Sequence, residues 1–263
     1  MISKLAVQLY TVREFTKTAK DFARTLERIQ AIGYPAVQLS AVGCMAGEQP
    51  EVDAALCRRM LDDHGLVCAA THRPFEDLLG NTQAEIEFHL TLGCAYCAIG
   101  GLPRAQYHDR GAQGYRDFLR GARPMAADLK TAGIAFGYHN HAHEFIPADR
   151  PRKTCYDILI DEGEFMAMEL DTYWAVHAGA DPVALIKRCP GRLSVIHLKD
   201  KEVHPEEGPI IAAIGEGNLN WEAILPAFAA AGTQWYAVEQ DRCLRDPFDC
   251  LKSSFEFLRA FDI

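Results

Sequence analysis

Short apolar runs alternate with longer amphipathic ones along the whole 263-residue chain, and the joint between them repeats as helix, glycine, then extended segment. The joint recurs at Gly33, Gly65, Gly93, Gly133 and Gly232, where a residue free to take positive φ can stop a helix. Extended segments are expected at residues 5–9, 36–39, 66–71, 96–100, 134–139, 166–170, 193–198 and 236–239. Helices are expected at 18–32, 51–64, 82–92, 115–131, 154–161, 182–188, 221–231 and 246–261, with a long loop before 221. In the first helix Phe22, Leu26 and Ile29 fall at three- and four-residue spacing, the mark of one buried face. Strands such as LAVQL and MAMEL are nearly continuous apolar runs, as both-faced burial requires. Strict strand–helix alternation predicts an α/β chain with a parallel sheet, and eight units fit a single (β/α)8 TIM barrel better than an open doubly wound sheet. The glycine-rich nucleotide fingerprint is absent after the first strand, which reads LAVQLYTVRE. Without a linker or composition break, one domain over residues 1–263 is expected.

Charge narrows the partners. Lys and Arg number 27 against 36 Asp and Glu, a net −9, whereas nucleic acid and anionic membranes call for a cationic footprint. Neither is expected as a partner; a homo-oligomer is allowed. No apolar run is long enough to span a bilayer, and the start, MISKLAVQLYTVRE, is broken by Gln8, Thr11 and Arg13 before a leader-like core forms. The nine cysteines include one close pair, Cys94 and Cys97, with no second pair to complete a zinc site. Reduced, mostly buried thiols in a cytoplasmic protein are the expectation.

A barrel carries its chemistry at the C-terminal ends of its strands. There the last four strands deliver Glu144, Asp171, His197 and Glu239. Taken singly, Asp171 reads as a helix N-cap, His197 as a hydrogen-bonded core residue, and Glu239 as a salt-bridge partner for Lys199. Together, on four consecutive strands, they read as a metal site. Three carboxylates and one imidazole suit one divalent ion, Mn²⁺, Mg²⁺, Co²⁺ or Zn²⁺, with Mn²⁺ or Zn²⁺ favoured. Lys199, two residues past His197, should point the same way and meet a substrate oxygen. Tyr10, Arg13, His72 and Trp174 are expected to line the pocket. His64, His89, His108 and His177 lack such a context and read as surface or helix residues. In GEGNLNW, Gly215 and Gly217 would let the backbone approach the mouth closely.

The segments VQLYTVRE, YHNHAHEF, ELDTYWAVHAGADP, VIHLKD, GEGNLNW and VEQD resemble the sugar phosphate isomerase/epimerase family with the xylose isomerase-like barrel. The resemblance runs from Val7 to Asp241 and implies a divalent-metal barrel acting on sugars, keto-sugars or inositols. It implies Asp171, His197 and Glu239 as ligands. Many members place a Glu on strand five near the position of His139, where this chain reads His139-Asn140-His141; Glu144 is expected as the ligand, with His139 or His141 as substitute ligand or base. Members often end strand two in Val-Glu-Leu, whereas here Gln38 can bind a hydroxyl but cannot act as a base. The shared chemistry is proton abstraction beside a carbonyl, with Glu144, Glu239 and His141 as candidate bases and Lys199 at the developing oxyanion. A sugar isomerase or epimerase is the leading expectation. The alternatives are a lyase on a keto-sugar, keto-inositol (as an inosose dehydratase) or 3-keto-glycoside, and a non-catalytic sugar-binding barrel. A DNA-repair endonuclease also exists on this architecture, but the charge of −9 disfavours it.

Overall fold

A computed structural model describes residues 2–149 and 151–261. Its strands are β1 (Leu5–Gln8), β2 (Ala36–Leu39), β3 (Val67–His72), β4 (Tyr96–Ile99), β5 (Ala135–His139), β6 (Ala167–Glu169), β7 (Val195–Leu198), β8 (Asp200–His204), β9 (Gly208–Ala212) and β10 (Trp235–Val238). Its α-helices are α1 (Ala19–Ile32), α2 (Ala54–Asp63), α3 (Phe75–Gly80), α4 (Thr82–Leu92), α5 (Gly111–Thr131), α6 (Cys155–Glu162), α7 (Thr172–His177), α8 (Pro182–Arg188), α9 (Trp221–Ala230) and α10 (Pro247–Leu258).

Eight strands form one parallel sheet in the order β6-β5-β4-β3-β2-β1-β10-β7. The sheet curls until its two ends meet: Asp171 and His197 form a parallel bridge beyond β6, and His197 N donates to Leu170 O at 3.0 Å. The result is the expected TIM barrel, nearly closed, with helices between its strands. Most barrel strands are buried along their length, which is why they read as continuous apolar runs. The expected glycine stops hold, all five taking φ between +64° and +115°. Helix α1 shows the local logic. Thr18 caps it by accepting from Asp21 N, Phe22, Leu26 and Ile29 are buried, and left-handed Gly33 ends it. Each such buried side chain contributes about 1.5–3 kcal/mol.

Two features depart from the sequence expectation, while the cysteines follow it. The long loop after the seventh strand contains an antiparallel hairpin, β8 with β9; β8 reads DKEVH and is polar, and β9, GPIIA, opens on Gly and Pro. The short helices α3 and α7 were not expected, because six residues are too few to display a helical period. The nine cysteines are all free, and eight are buried. No helix among the described residues is long and apolar enough to cross a membrane.

Candidate active site

Four side chains from adjacent positions around the barrel meet at its C-terminal end: His139 on β5, Asp171 past β6, His197 on β7 and Glu239 past β10. One potential ligand atom of each lies within 4.8 Å of the others, and all four residues are buried. Period-two geometry puts them there. His197 and Lys199 enter from one strand face, as expected, and Glu169 shares a face with Asp171 in the same way. Asp171 divides its two oxygens. Oδ1 accepts from Trp174 N at 2.9 Å and caps α7. Oδ2 faces His139 Nε2 at 3.2 Å and Lys199 Nζ at 3.0 Å. The cap and the cluster are therefore both real.

His197 is oriented from behind. Its Nε2 lies 2.9 Å from Gln38 Oε1, and the Gln38 amide is itself fixed by donating Nε2 to Glu169 Oε1 at 2.9 Å. An amide oxygen only accepts, so His197 Nε2 carries a proton and Nδ1 is the nitrogen presented to Asp171 and Glu239. Nδ1 sits 2.6 Å from Glu239 Oε2, yet His197 Nδ1 is buried without an aligned hydrogen bond. Buried polar atoms are rarely left so. Ligand atoms converging on a shared cation would be, and the donor set of two imidazoles and two carboxylates fits a divalent ion.

The local electrostatics follow from this crowding. Burial opposes charge on His197, but Glu169 and Glu239 raise it to about 10. Burial likewise opposes charge on Glu239, yet Lys199 and His197 hold its carboxyl well below the usual range. Lys199 Nζ contacts Asp171, Glu239 Oε2 at 2.9 Å and Asp241 Oδ1 at 3.0 Å. These partners raise the ammonium's pKa against the effect of burial. Asp241 is pushed up to about 6, first by burial and then by Glu239.

The strand-five residues split. His139 joins the four-residue cluster. Glu144 does not: its carboxylate accepts from Tyr138 Oη at 2.8 Å and from His141 N at 2.7 Å. It groups instead with His141 and His143. The tight turn His143–Phe145 aims it back toward its own strand.

A cavity of about 1090 Å³ opens over the cluster, lined among others by Tyr10, His72, His139, His141, Trp174, Lys199, Glu239 and Asp241. Two expected lining residues are elsewhere. Arg13 lies over the Tyr10 ring at 4.0 Å and donates to Tyr10 O and Asp241 O, bracing the wall from outside. Gln38 is buried behind His197 and does not reach the cavity. The glycines of GEGNLNW approach Asp200 and not the mouth. The Asp200 carboxylate accepts from the backbones of Lys201, Gly215, Gly217 and Leu219 and from Trp221 Nε1, and a Cβ on Gly217 would sit 2.4 Å from Asp200 Oδ1.

Sequence reading missed Glu169 and Asp241 as site residues. Glu169 Oε2 lies 2.5 Å from His72 Nε2 and 3.3 Å from His197 Nε2. The two-residue offset that placed Lys199 beside His197 would have found both, since Glu169 precedes Asp171 by two and Asp241 follows Glu239 by two.

The family model described as xylose isomerase-like TIM barrel matches residues 26–261, in agreement with the resemblance read from the motifs. An inosose dehydratase of Mesomycoplasma hyopneumoniae is 26% identical over 166 residues, 56% of this chain and 55% of that protein. The rhizopine catabolism protein MocC of Rhizobium meliloti is 25% identical over 221 residues, 76% of this chain and 62% of that one. The chain thus spans little more than half the length of these curated relatives. A crystal structure of a sugar phosphate isomerase/epimerase from Parabacteroides distasonis superposes with a TM-score of 0.79 at 23% identity, covering 99% of this chain and 95% of that one, a likeness of fold.

Proposed function

The chain belongs to the xylose isomerase-like TIM barrel family, and from that premise we propose that it is a divalent-metal-dependent sugar isomerase or epimerase acting on an uncharged ketose or related polyol. The observation that carries this reading is the convergence of His139, Asp171, His197 and Glu239, with His197 Nδ1 buried and without an aligned hydrogen bond. An ion held by these four would supply Lewis-acid polarisation of a substrate carbonyl, making the neighbouring C–H acidic.

The chain's own groups would do the rest. Lys199, one face on the cavity, donates to the oxygen on which negative charge develops. Asp241, raised to about 6, is poised to take and return the proton near neutral pH. Glu239, held ionised by Lys199 and His197, is better suited to holding a cation than to accepting a proton. Trp174 and Tyr10 supply flat walls for a sugar ring.

The cations at the cavity favour an uncharged substrate. Lys199 is shared among three carboxylates, and Arg73 is held by both oxygens of Glu85, at 2.8 Å and 2.6 Å. Arg73 is thereby occupied, and the three carboxylates around Lys199 would repel a phosphate dianion while admitting a neutral sugar.

A second reading, elimination by a lyase, is favoured by one feature. His72 lines the cavity while Glu169 grips its Nε2, an arrangement that orients an imidazole to protonate a departing oxygen. The weak likeness to an inosose dehydratase points the same way.

The test is solvent deuterium incorporation by NMR into a panel of ketoses and keto-inositols, with and without added Mn²⁺ or Zn²⁺. Metal-dependent exchange yielding an isomer or epimer supports the first reading, and an unsaturated product supports the second. No exchange with any substrate would favour a non-catalytic sugar-binding barrel.

A further inference from the structure

We propose that His141, His143 and Glu144 form a second divalent-cation site, separate from the four-residue cluster, of the two-histidine, one-carboxylate type that zinc takes. One potential ligand atom from each lies within 4.8 Å of the others. His143 Nε2 is 3.0 Å from Glu144 Oε1, and the His141 and His143 rings lie nearly parallel, 5.3 Å apart.

Two independent features point to a missing partner. His141 Nδ1 is buried and makes no hydrogen bond. His108 packs edge-on against His143 with ring centres 4.5 Å apart, and its Nε2 is likewise buried and unpartnered. An unsatisfied imidazole nitrogen on His141, grouped with His143 beside a buried carboxylate, is costly without a cation.

The carboxylate is already fixed. Tyr138 Oη and His141 N each donate to one oxygen, leaving lone pairs on both and locking the orientation as supporting residues do around bound metals. The His143 side chain is 38% exposed, which gives an ion a way in. His141 also lines the substrate cavity, and its ring centre lies 4.9 Å from that of His139. A cation here would thus border the same cavity as the first.

The site stands on its own residues and holds whether or not the first binds metal. The test is to strip the full chain with a chelator, reload it with Zn²⁺, remove free ion by gel filtration, and count zinc by mass spectrometry. Wild type, His143→Ala and Asp171→Asn are compared, and crystals of the loaded wild type are measured at the zinc edge. We expect His143→Ala to carry one zinc fewer than wild type, with Asp171→Asn losing the other. An anomalous peak is expected between His141, His143 and Glu144. An equal count in wild type and His143→Ala, or no such peak, overturns the proposal. An unchanged count in Asp171→Asn would instead count against the first site. His143 is exposed enough that its truncation should leave folding intact, which circular dichroism checks.

Discussion

Gln38 Oε1 accepts the proton on His197 Nε2 across 2.9 Å, joining the second strand of the barrel to the seventh. The contact fixes which imidazole nitrogen faces Asp171 and Glu239, so a residue that touches no substrate decides what His197 can hold. Replacing Gln38 with Leu should weaken divalent-ion affinity about 10- to 100-fold, the usual cost of losing such a supporting partner. Isothermal titration with Mn²⁺ or Zn²⁺ measures it. Affinity equal to wild type would show that the amide does not orient the ring.

Ion binding at the four-residue cluster should release a proton. Without a cation, Glu169 and Glu239 hold His197 protonated with a pKa raised to about 10, and an imidazole must shed that second proton to ligate a metal. Affinity should therefore rise with pH through the neutral range, by about tenfold per unit for each proton released. Titrations in buffers of different ionisation enthalpy would count the proton, and a pH-independent affinity would contradict the assignment.

Asp241 should act on turnover more than on folding, whereas Lys199, buried among three carboxylates, should act on both. Lys199→Met removes the group placed at the developing oxyanion, and Asp241→Asn removes the proton acceptor. Each should lower kcat by about 100-fold or more, the usual share of a positioned acid–base or electrostatic group. Asp241→Asn should also remove the limb of the pH–rate profile near pH 6. Steady-state kinetics across pH decide this, and an unaltered profile would pass the role to another group.

A stability effect should arise far from the chemistry, at His89. Its Nδ1 donates to Glu85 O at 2.6 Å, and its Nε2 accepts from Thr71 Oγ1 at 2.6 Å, so the neutral ring is fully satisfied. Burial lowers its pKa from 6.5. The unfolded chain then binds a proton that the folded one refuses, and stability is full above about pH 6.5 and declines as pH falls toward the depressed folded value. Urea midpoints between pH 5 and 8 should show that slope, and His89→Gln should flatten it.

Asp200 holds together the segment 215–221 through four donors, and accepts a fifth hydrogen bond from Lys201 N. Asp200→Ala would leave several buried N–H groups unpaired and should cost about 3 kcal/mol or more, read as a lowered Tm. A loss under about 1 kcal/mol would mean that water replaces the carboxylate.

Much of this was legible in the sequence because it depends on local periodicity. Eight apolar runs, their glycine stops and the two-residue offset from His197 to Lys199 follow from backbone geometry that repeats within a few residues. So did the gathering of Asp171, His197 and Glu239, since strand ends in a closed barrel share one rim. Tertiary structure alone decided which strand-five residue joins them. His139 and Glu144 are five residues apart, and only the tight turn after His139 sends the carboxylate back to Tyr138. It also put Gln38 behind His197 and turned Arg13 outward, because those positions depend on contacts between strands distant in sequence. Pattern sets which face a side chain leaves from; the packed neighbours set where its end comes to rest.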